Sequence, residues 1–345
     1  MSGQRRGLAA GVLRSLLRVG EIPYAGAAAA RNAAYDAGLL PVYHAGVPVV
    51  SVGNLTLGGT GKTPLVRWLA EWYRQQAVRV GLVSRGYRAA AGRPNDEARE
   101  LALFLPDTPH LQNPDRVAAA RVAVAQHGCE LIVLDDAFQH RRLYRDLNLV
   151  LLDALAPFGF DHVFPRGLLR ESRSGLRRAD VVVLSRADAV GAAQRQALRQ
   201  QVQTLAPRAV WVESVHRPCG LIAPSGERCG WEWLRGRTVA AFCGIGNPDG
   251  FRHTLQSCGG TVAGFREFPD HHPYTLADVR ALADWAAGLA GVAGLICTLK
   301  DLVKLPPDCP AAVPLWAVAI ELEFPCGLAA LEERLRSLLP AKRTD

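Results

Sequence analysis

The apolar positions in the first two thirds of the chain come mostly in short unbroken runs: "VPVVSVG" from Val47, "VRVGLVS" from Val78, "ELIVLDD" from Glu130, "LNLVLLDA" from Leu147 and "DVVVLSRAD" from Asp180. Stretches with helical character stand between them, one from Pro64 and another from Pro114 to Gln126. A strand that alternates apolar and polar residues has one wet face, whereas an unbroken run is buried on both. The pattern predicts a doubly wound, mainly parallel sheet covered by helices, spanning 37–212.

A stretch rich in Pro, Gly and polar residues, 213–236, reads as a linker with room for short extended segments. Beyond it, strand-like and helical runs alternate again in "TVAAFCGIGNPDGF", "TVAGFREF", "YTLADVRALADWAAGL", "GLICTLKD" and "VPLWAVAIELEF". They predict a second, smaller α/β domain over 237–345. The last segment, Gly327 to Leu339, is helical in pattern and compatible with packing on either domain. Two domains also suit a chain of 345 residues, which exceeds what one hydrophobic core usually supports.

The first segment, 1–36, is different. On a helical wheel Leu8, Val12, Leu13, Leu16 and Leu17 share one side while Arg14 and Arg18 lie on the other. Such a helix either lies on an anionic membrane surface or packs on the domain as an ordinary amphipathic helix. Arg14, Arg18 and Glu21 interrupt any signal-peptide core, and no stretch is apolar enough to span a bilayer.

Composition narrows the partners. Apolar residues make up 49% and charged ones 21%, without low-complexity tracts, as in a fully globular protein. The excess of 40 Lys+Arg over 32 Asp+Glu, a net +8, favours anionic partners such as nucleotides, phosphorylated substrates or acidic lipids. Nucleic acid is not expected, because there is no zinc-finger spacing, aromatic-studded RNA signature or long basic block. Eight cysteines without a C-x-x-C pair suggest neither a zinc site nor a disulfide framework, and fit a reducing cytosol.

The chemistry concentrates at two points. "GGTGKTP", from Gly58, follows the apolar run and opens a helix, as a phosphate loop must: backbone N–H groups cradle phosphate, Lys62 reaches the outer phosphates and the Thr63 hydroxyl binds Mg²⁺. Gly58, Gly59, Thr60 and Gly61 form the cradle, and Pro64 suits a first helical turn. The first Gly of the usual pattern is replaced by Thr56. The second point is "ELIVLDDAFQHRRLYRD", which delivers Asp135 and Asp136 to the carboxyl end of a strand, in the form of a Walker B. Ligands of such sheets gather at that end. Polar clusters recur after successive strands: Arg85 and Arg88 in "SRGYR", Asp96 and Glu97 in "RPNDEA", and Arg170 and Glu171 in "RGLLRES".

Seven segments, "VGNLTLGGTGKTP", "SRGYR", "DDAFQHRRLYRD", "RGLLRES", "GIGNPDGF", "FPDHHPYT" and "TLKDLVK", occur in the order found in the tetraacyldisaccharide 4'-kinase (lipid A 4'-kinase) family, which the chain resembles from about Tyr24 to Ile320. The resemblance implies a P-loop NTPase-like kinase that uses ATP and Mg²⁺ to phosphorylate the 4'-hydroxyl of tetraacyldisaccharide 1-phosphate. It implies peripheral work at the cytoplasmic face of the inner membrane, with no protein partner evident. Residue by residue, it puts the phosphate-loop roles on Gly61, Lys62 and Thr63 and the acidic Mg²⁺-side roles on Asp135 and Asp136. Gln139, His140, Arg170 and Glu171 match further active-site positions, Glu171 as an additional metal carboxylate. Asp96 and His271 match the catalytic Asp–His pair. Asn95 stands where the family generally has Gly, and Leu299 replaces a customary acidic residue.

With ATP over Gly58 to Thr63, Lys62 and Arg170 would stabilise the transferring phosphoryl group, Gln139 and His140 would flank the nucleotide, and Asp96 would accept the hydroxyl proton with His271 orienting it. The domain boundaries place Asp96 and His271 on different domains, so the expectation is that closure assembles the pair. Acyl chains are costly to expose, which favours membrane contact by the first helix. The rival from another class is a membrane-associated ATPase or GTPase switch. Switches that position division sites carry Lys before the paired glycines, where this chain has Leu57, and "SRAD" resembles a guanine-reading loop only faintly. A kinase for a soluble small molecule leaves the first helix without a purpose.

Overall fold

The structure, a computed structural model, describes residues 7–86, 94–246, 248–270, 272–306 and 313–340. Its elements in chain order begin with α1 (Leu8–Asp36), β1 (Val49–Asn54), α2 (Lys62–Gln75), β2 (Val80–Ser84), α3 (Asp96–Phe104), β3 (His110–Gln112), α4 (Arg116–His127), β4 (Leu131–Asp135) and β5 (Leu147–Asp153). They continue with β6 (Val181–Ser185), α5 (Ala192–Leu205), β7 (Val210–Ile222), β8 (Arg228–Cys229), β9 (Thr238–Cys243), α6 (Pro248–Ser257) and β10 (Thr261–Glu267). The last are α7 (Leu276–Ala287), β11 (Val292–Thr298), α8 (Leu299–Leu302), β12 (Leu315–Cys326) and α9 (Leu328–Arg336).

Two compact units divide the chain. The larger comprises Met1–Gly86, Asp107–Val215 and Leu322–Asp345, the smaller Tyr87–Pro106 and His216–Glu321. In the larger unit the strands run parallel in the order β3-β2-β4-β1-β5-β6-β7. Every residue of β1, β2, β4 and β6 is buried, as their unbroken apolar runs require. One core, around Ile132, Leu134 and Ala120, and another, around Val150, Leu152 and Leu184, are built from these strands and their helices. Because β1 has β4 on one side and β5 on the other, the order switches direction at β1, which opens a crevice at its carboxyl end.

Helix ends follow local chemistry. Asp115 caps α4 by accepting from the N–H groups of Val117 and Ala118, and Gly128 closes it at φ 61°. In the smaller unit β10, β9, β11 and β12 pair in parallel, and α7 starts with a reciprocal Thr275–Asp278 capping box.

Two boundaries differ from the sequence reading, and one that it left open, the placement of the last helix, is decided. The stretch 213–236 is not simply a linker: β7 runs on through it to Ile222, and Leu221 and Leu234 join the core of the smaller unit. Pro218 and Gly220 look like breakers, yet β7 continues through both, with Arg217 and Cys219 on either side of Pro218 exposed and Gly220 buried. The terminal helix α9 belongs to the larger unit, with Leu331 and Leu335 buried and the Tyr73 hydroxyl donating to the Leu335 carbonyl at 3.2 Å. Residues 87–106, read as part of the first domain, group instead with the smaller unit, where Leu103 and Phe104 pack on its core.

Candidate active site

Between β1 and α2 the chain makes the expected loop. Gly53 brings β1 so close to Phe138 that a Cβ there would lie 2.6 Å from the Phe138 Cβ. Thr56, the departure from the usual first glycine, pairs in a bridge with Leu169 and needs no left-handed backbone. The glycine requirement falls on Gly58 and Gly61, at φ 110° and 84°. A Cβ at Gly58 or Gly59 would meet nothing within 4 Å, so this side of the loop is open. Gly61 precedes α2 without a side-chain cap, leaving its first-turn N–H groups to an anion. Thr63 is buried in that turn.

Asp135 ends β4 and is buried, while Asp136 turns out of the strand at φ 50°. The Asp136 carboxylate accepts from the Arg170 guanidinium at 2.9 and 3.0 Å and lies 3.5 Å from the Lys62 ammonium. Burial would push this carboxyl up, but Lys62 and Arg170 outweigh it and hold it below its ordinary value. Lys62, Asp136 and Arg170, expected to act together, are thus in contact.

Two other expectations change. Glu171 is 3% exposed, and its oxygens accept from Arg178 at 2.7 and 2.8 Å, Gln139 at 3.0 Å and Asn32 at 2.7 Å. With these accepted bonds the Glu171 carboxylate is engaged as an anchor between Arg178, Gln139 and Asn32. Gln139 spends its amide donors on Glu171 and on the Asn54 carbonyl, which fixes the loop instead of facing a nucleotide. His140 is pushed down to about 4 by burial and then by Arg116, Arg145 and Arg31, so its ring is neutral.

The residues fit a polyphosphate. Thr60 Oγ1, Arg170 Nε, Arg116 Nε and His140 Nε2 are all buried with no hydrogen-bond partner among the described residues. Such atoms are costly to leave unmade, and phosphate oxygens accept from donors of this kind. Among the described residues no three His, Cys, Asp or Glu side chains form a ready metal cage. Mg²⁺ needs none, since it takes one or two carboxylates together with substrate phosphates; Thr63, Asp135 and Asp136 have the right chemistry.

The smaller unit carries its own constellation. Asp96, Glu97, Gly244, Asp270, Lys300 and Lys304 line a shallow, solvent-open cleft. Asp96 is the first residue of α3, and Asn95 caps that helix by accepting from the Ala98 N–H at 3.0 Å, which gives the departure from Gly a local reason. His271 lies outside the described residues, as does Arg88. Asp96 and Asp270 line one cleft of one unit, so the expectation that the catalytic pair belongs to two domains is corrected.

The family model described as tetraacyldisaccharide-1-P 4'-kinase matches residues 13–340. The chain belongs to the tetraacyldisaccharide 4'-kinase family. A tetraacyldisaccharide 4'-kinase of Anaeromyxobacter dehalogenans is 43% identical over 338 residues, covering 92% of this chain and 89% of that protein. One of Syntrophus aciditrophicus is 36% identical over 332 residues, covering 89% and 88%. The crystal structure of LpxK from Aquifex aeolicus in complex with ATP is similar with a TM-score of 0.75 at 28% identity, covering 95% of this chain and all of that one.

Sequence reasoning passed over two features of this family member. Arg116 begins α4 and looks like a surface residue in "NPDRV", yet it is buried and feels the charges of Asp135 and Asp136. In the smaller unit Asp301 is fully buried, and its carboxylate accepts from Gly244 N–H, the Tyr274 hydroxyl and Thr298 Oγ1 while pairing with Lys304 at 3.0 Å. This knot holds Gly244 and Lys304 at the Asp96 cleft. The Thr-x-x-Asp spacing of "TLKD" was its only local signal.

Proposed function

We propose that the chain transfers the γ-phosphoryl group of ATP to the 4'-hydroxyl of tetraacyldisaccharide 1-phosphate. The observation that carries this reading is the pair of orphaned buried donors Thr60 Oγ1, in the open Gly58–Gly61 loop, and Arg170 Nε, on the side chain that meets Asp136, in a chain whose family match runs over 13–340. When bound, ATP supplies the phosphoryl group and Mg²⁺ offsets charge on its oxygens. Lys62 and Arg170 present positive charge to the phosphoryl oxygens, and the Gly58–Thr63 backbone holds the phosphate chain. Asp96 accepts the proton released by the sugar hydroxyl.

The site is proposed to work at a membrane surface. In α1, Val12, Leu13, Leu16, Val19 and Ile22 are exposed, Ile22 to 70%, while Glu21, Ala25 and Asn32 face the unit. A helix that turns its apolar face outward is suited to the headgroup boundary of a bilayer. No helix among the described residues is long and apolar enough to cross one. The bilayer in question is proposed to be the cytoplasmic face of the inner membrane. The switch and soluble-substrate readings are not favoured by the family match.

The test is transfer of γ-labelled phosphate to tetraacyldisaccharide 1-phosphate in detergent micelles. Asp96→Ala is expected to lose roughly 10²-fold or more in turnover with ATP affinity little changed. ATP hydrolysis without labelled lipid in the parent protein would overturn the kinase reading, and unchanged turnover in the variant would remove Asp96 from its role.

A further inference from the structure

The loop from Leu155 to Leu169, between β5 and Arg170, shows large apolar side chains to solvent: Leu155, Phe160 and Phe164 are all exposed, Phe160 to 42%. Phe160 also sits at φ 64°, a conformation unfavourable for a bulky residue, with Asp161 at φ 64° beside it. A folded chain that holds a phenylalanine outward against both hydration and backbone preference has a use for the ring outside.

The ring is not free to tuck in. The loop closes on itself through Phe164 N–H to the Leu169 carbonyl, Leu168 N–H to Gly159 and Leu169 N–H to His162, at 2.9 to 3.0 Å. Gly167 passes so near the His162 carbonyl that a Cβ would lie 2.2 Å from it. The loop is also stapled to α1. Glu21 accepts from the Val163 N–H at 2.7 Å and pairs with His162 at 3.2 Å. The Tyr24 ring meets Phe164 edge-on at 5.6 Å, and a Cβ on Gly20 would lie 3.2 Å from Pro165. Phe164 therefore continues the apolar face that Ile22 and Tyr24 begin.

Charge agrees. The two acids of this region are engaged, Glu21 by the loop and Asp161 by Arg173, while Arg18 on α1 is exposed. An aromatic surface with its acids engaged and an exposed cation nearby suits an anionic headgroup layer. We infer that the Leu155–Pro165 loop is a second bilayer contact, seating Phe160 and Phe164 in an anionic lipid surface beside α1. The inference rests on the reading that α1 itself lies on the bilayer. Its consequence reaches the active site, since Leu168 accepts from the Leu57 N–H at 2.7 Å and the Arg170 N–H donates to Leu55 at 2.7 Å. Docking of the loop thus sets the height of the phosphate loop above the membrane.

Flotation with vesicles of phosphatidylethanolamine and phosphatidylglycerol, without substrate, tests this on the full chain. Phe160→Ser with Phe164→Ser should lower vesicle partitioning roughly tenfold or more. Phe160→Trp with Phe164→Trp should keep parental partitioning, and thermal midpoint and ATP binding should stay parental in both. If the serine pair partitions like the parent while Ile22→Ser is lost from vesicles, the loop inference fails and the α1 reading stands. If the parent does not float, or neither serine variant changes, both fail. A tryptophan pair that partitions as poorly as the serine pair also overturns the loop contact. As a check independent of the serine variants, Phe160→Trp should add fluorescence, relative to the parent, that brominated acyl chains quench; no added quenching overturns the inference.

Discussion

A single guanidinium nitrogen of Arg170 lies 2.9 and 3.0 Å from the two carboxylate oxygens of Asp136. The same carboxylate faces Lys62, so the two cations proposed to meet the transferring phosphoryl group are held by one acid before any phosphate arrives. Arg170→Ala is expected to lower turnover roughly 10²- to 10³-fold, the scale of removing one preorganised charge donor. Burial would then oppose Lys62 alone, and the Asp136 carboxyl should rise from its depressed value. Labelled-phosphate transfer and carbonyl-carbon NMR of Asp136 read the two effects; a carboxyl that stays put would show Arg170 to be a bystander.

Glu171→Gln separates an anchor from a metal ligand. As an anchor facing Arg178, its loss should destabilise the fold by about 3 kcal/mol or more, because a buried cation is left uncompensated. The Mg²⁺ concentration giving half-maximal turnover should not move. A rise in that concentration with an unchanged melting temperature would restore the metal role.

His140 makes part of the acid sensitivity. Its ring titrates near its ordinary 6.5 when unfolded and at about 4 when folded. Between these values the unfolded chain binds the proton and the folded one does not, so this contribution is fully present above about pH 6.5 and is lost as pH falls toward about 4. His140→Asn should flatten the melting temperature against pH over that window. An unchanged slope would mean that another group sets it.

At Asn95 the prediction is graded. Asn95→Ala should cost about 1 kcal/mol through the lost cap, whereas Asn95→Gly should cost only a few tenths. Hydrogen exchange along α3 reports the fraying, and equal effects of the two substitutions would remove the cap as the reason for Asn at this position.

What was legible in the sequence was local. An unbroken apolar run marks a doubly buried strand wherever it occurs, so β1, β2, β4, β5 and β6 lie where the pattern put them. A phosphate loop is a property of a few consecutive backbone angles, and Gly58 and Gly61 declare theirs. What only the tertiary structure decided involves partners far apart in the chain. Glu171 meets Asn32 across 139 positions, and a carboxylate's fate as ligand or anchor depends on which donors arrive. Arg116 is buried by residues that its own neighbourhood does not name, and α3 joins the smaller unit because Leu103 and Phe104 find their core there. The wheel of α1 showed an apolar side, but which side faces outward was settled by Glu21 and Asn32, whose hydrogen bonds turn their own side of the helix inward while Arg18 stays exposed. Apolar periodicity is written in adjacent residues; the direction in which an element faces is set by long-range packing and hydrogen bonding, which no single stretch contains.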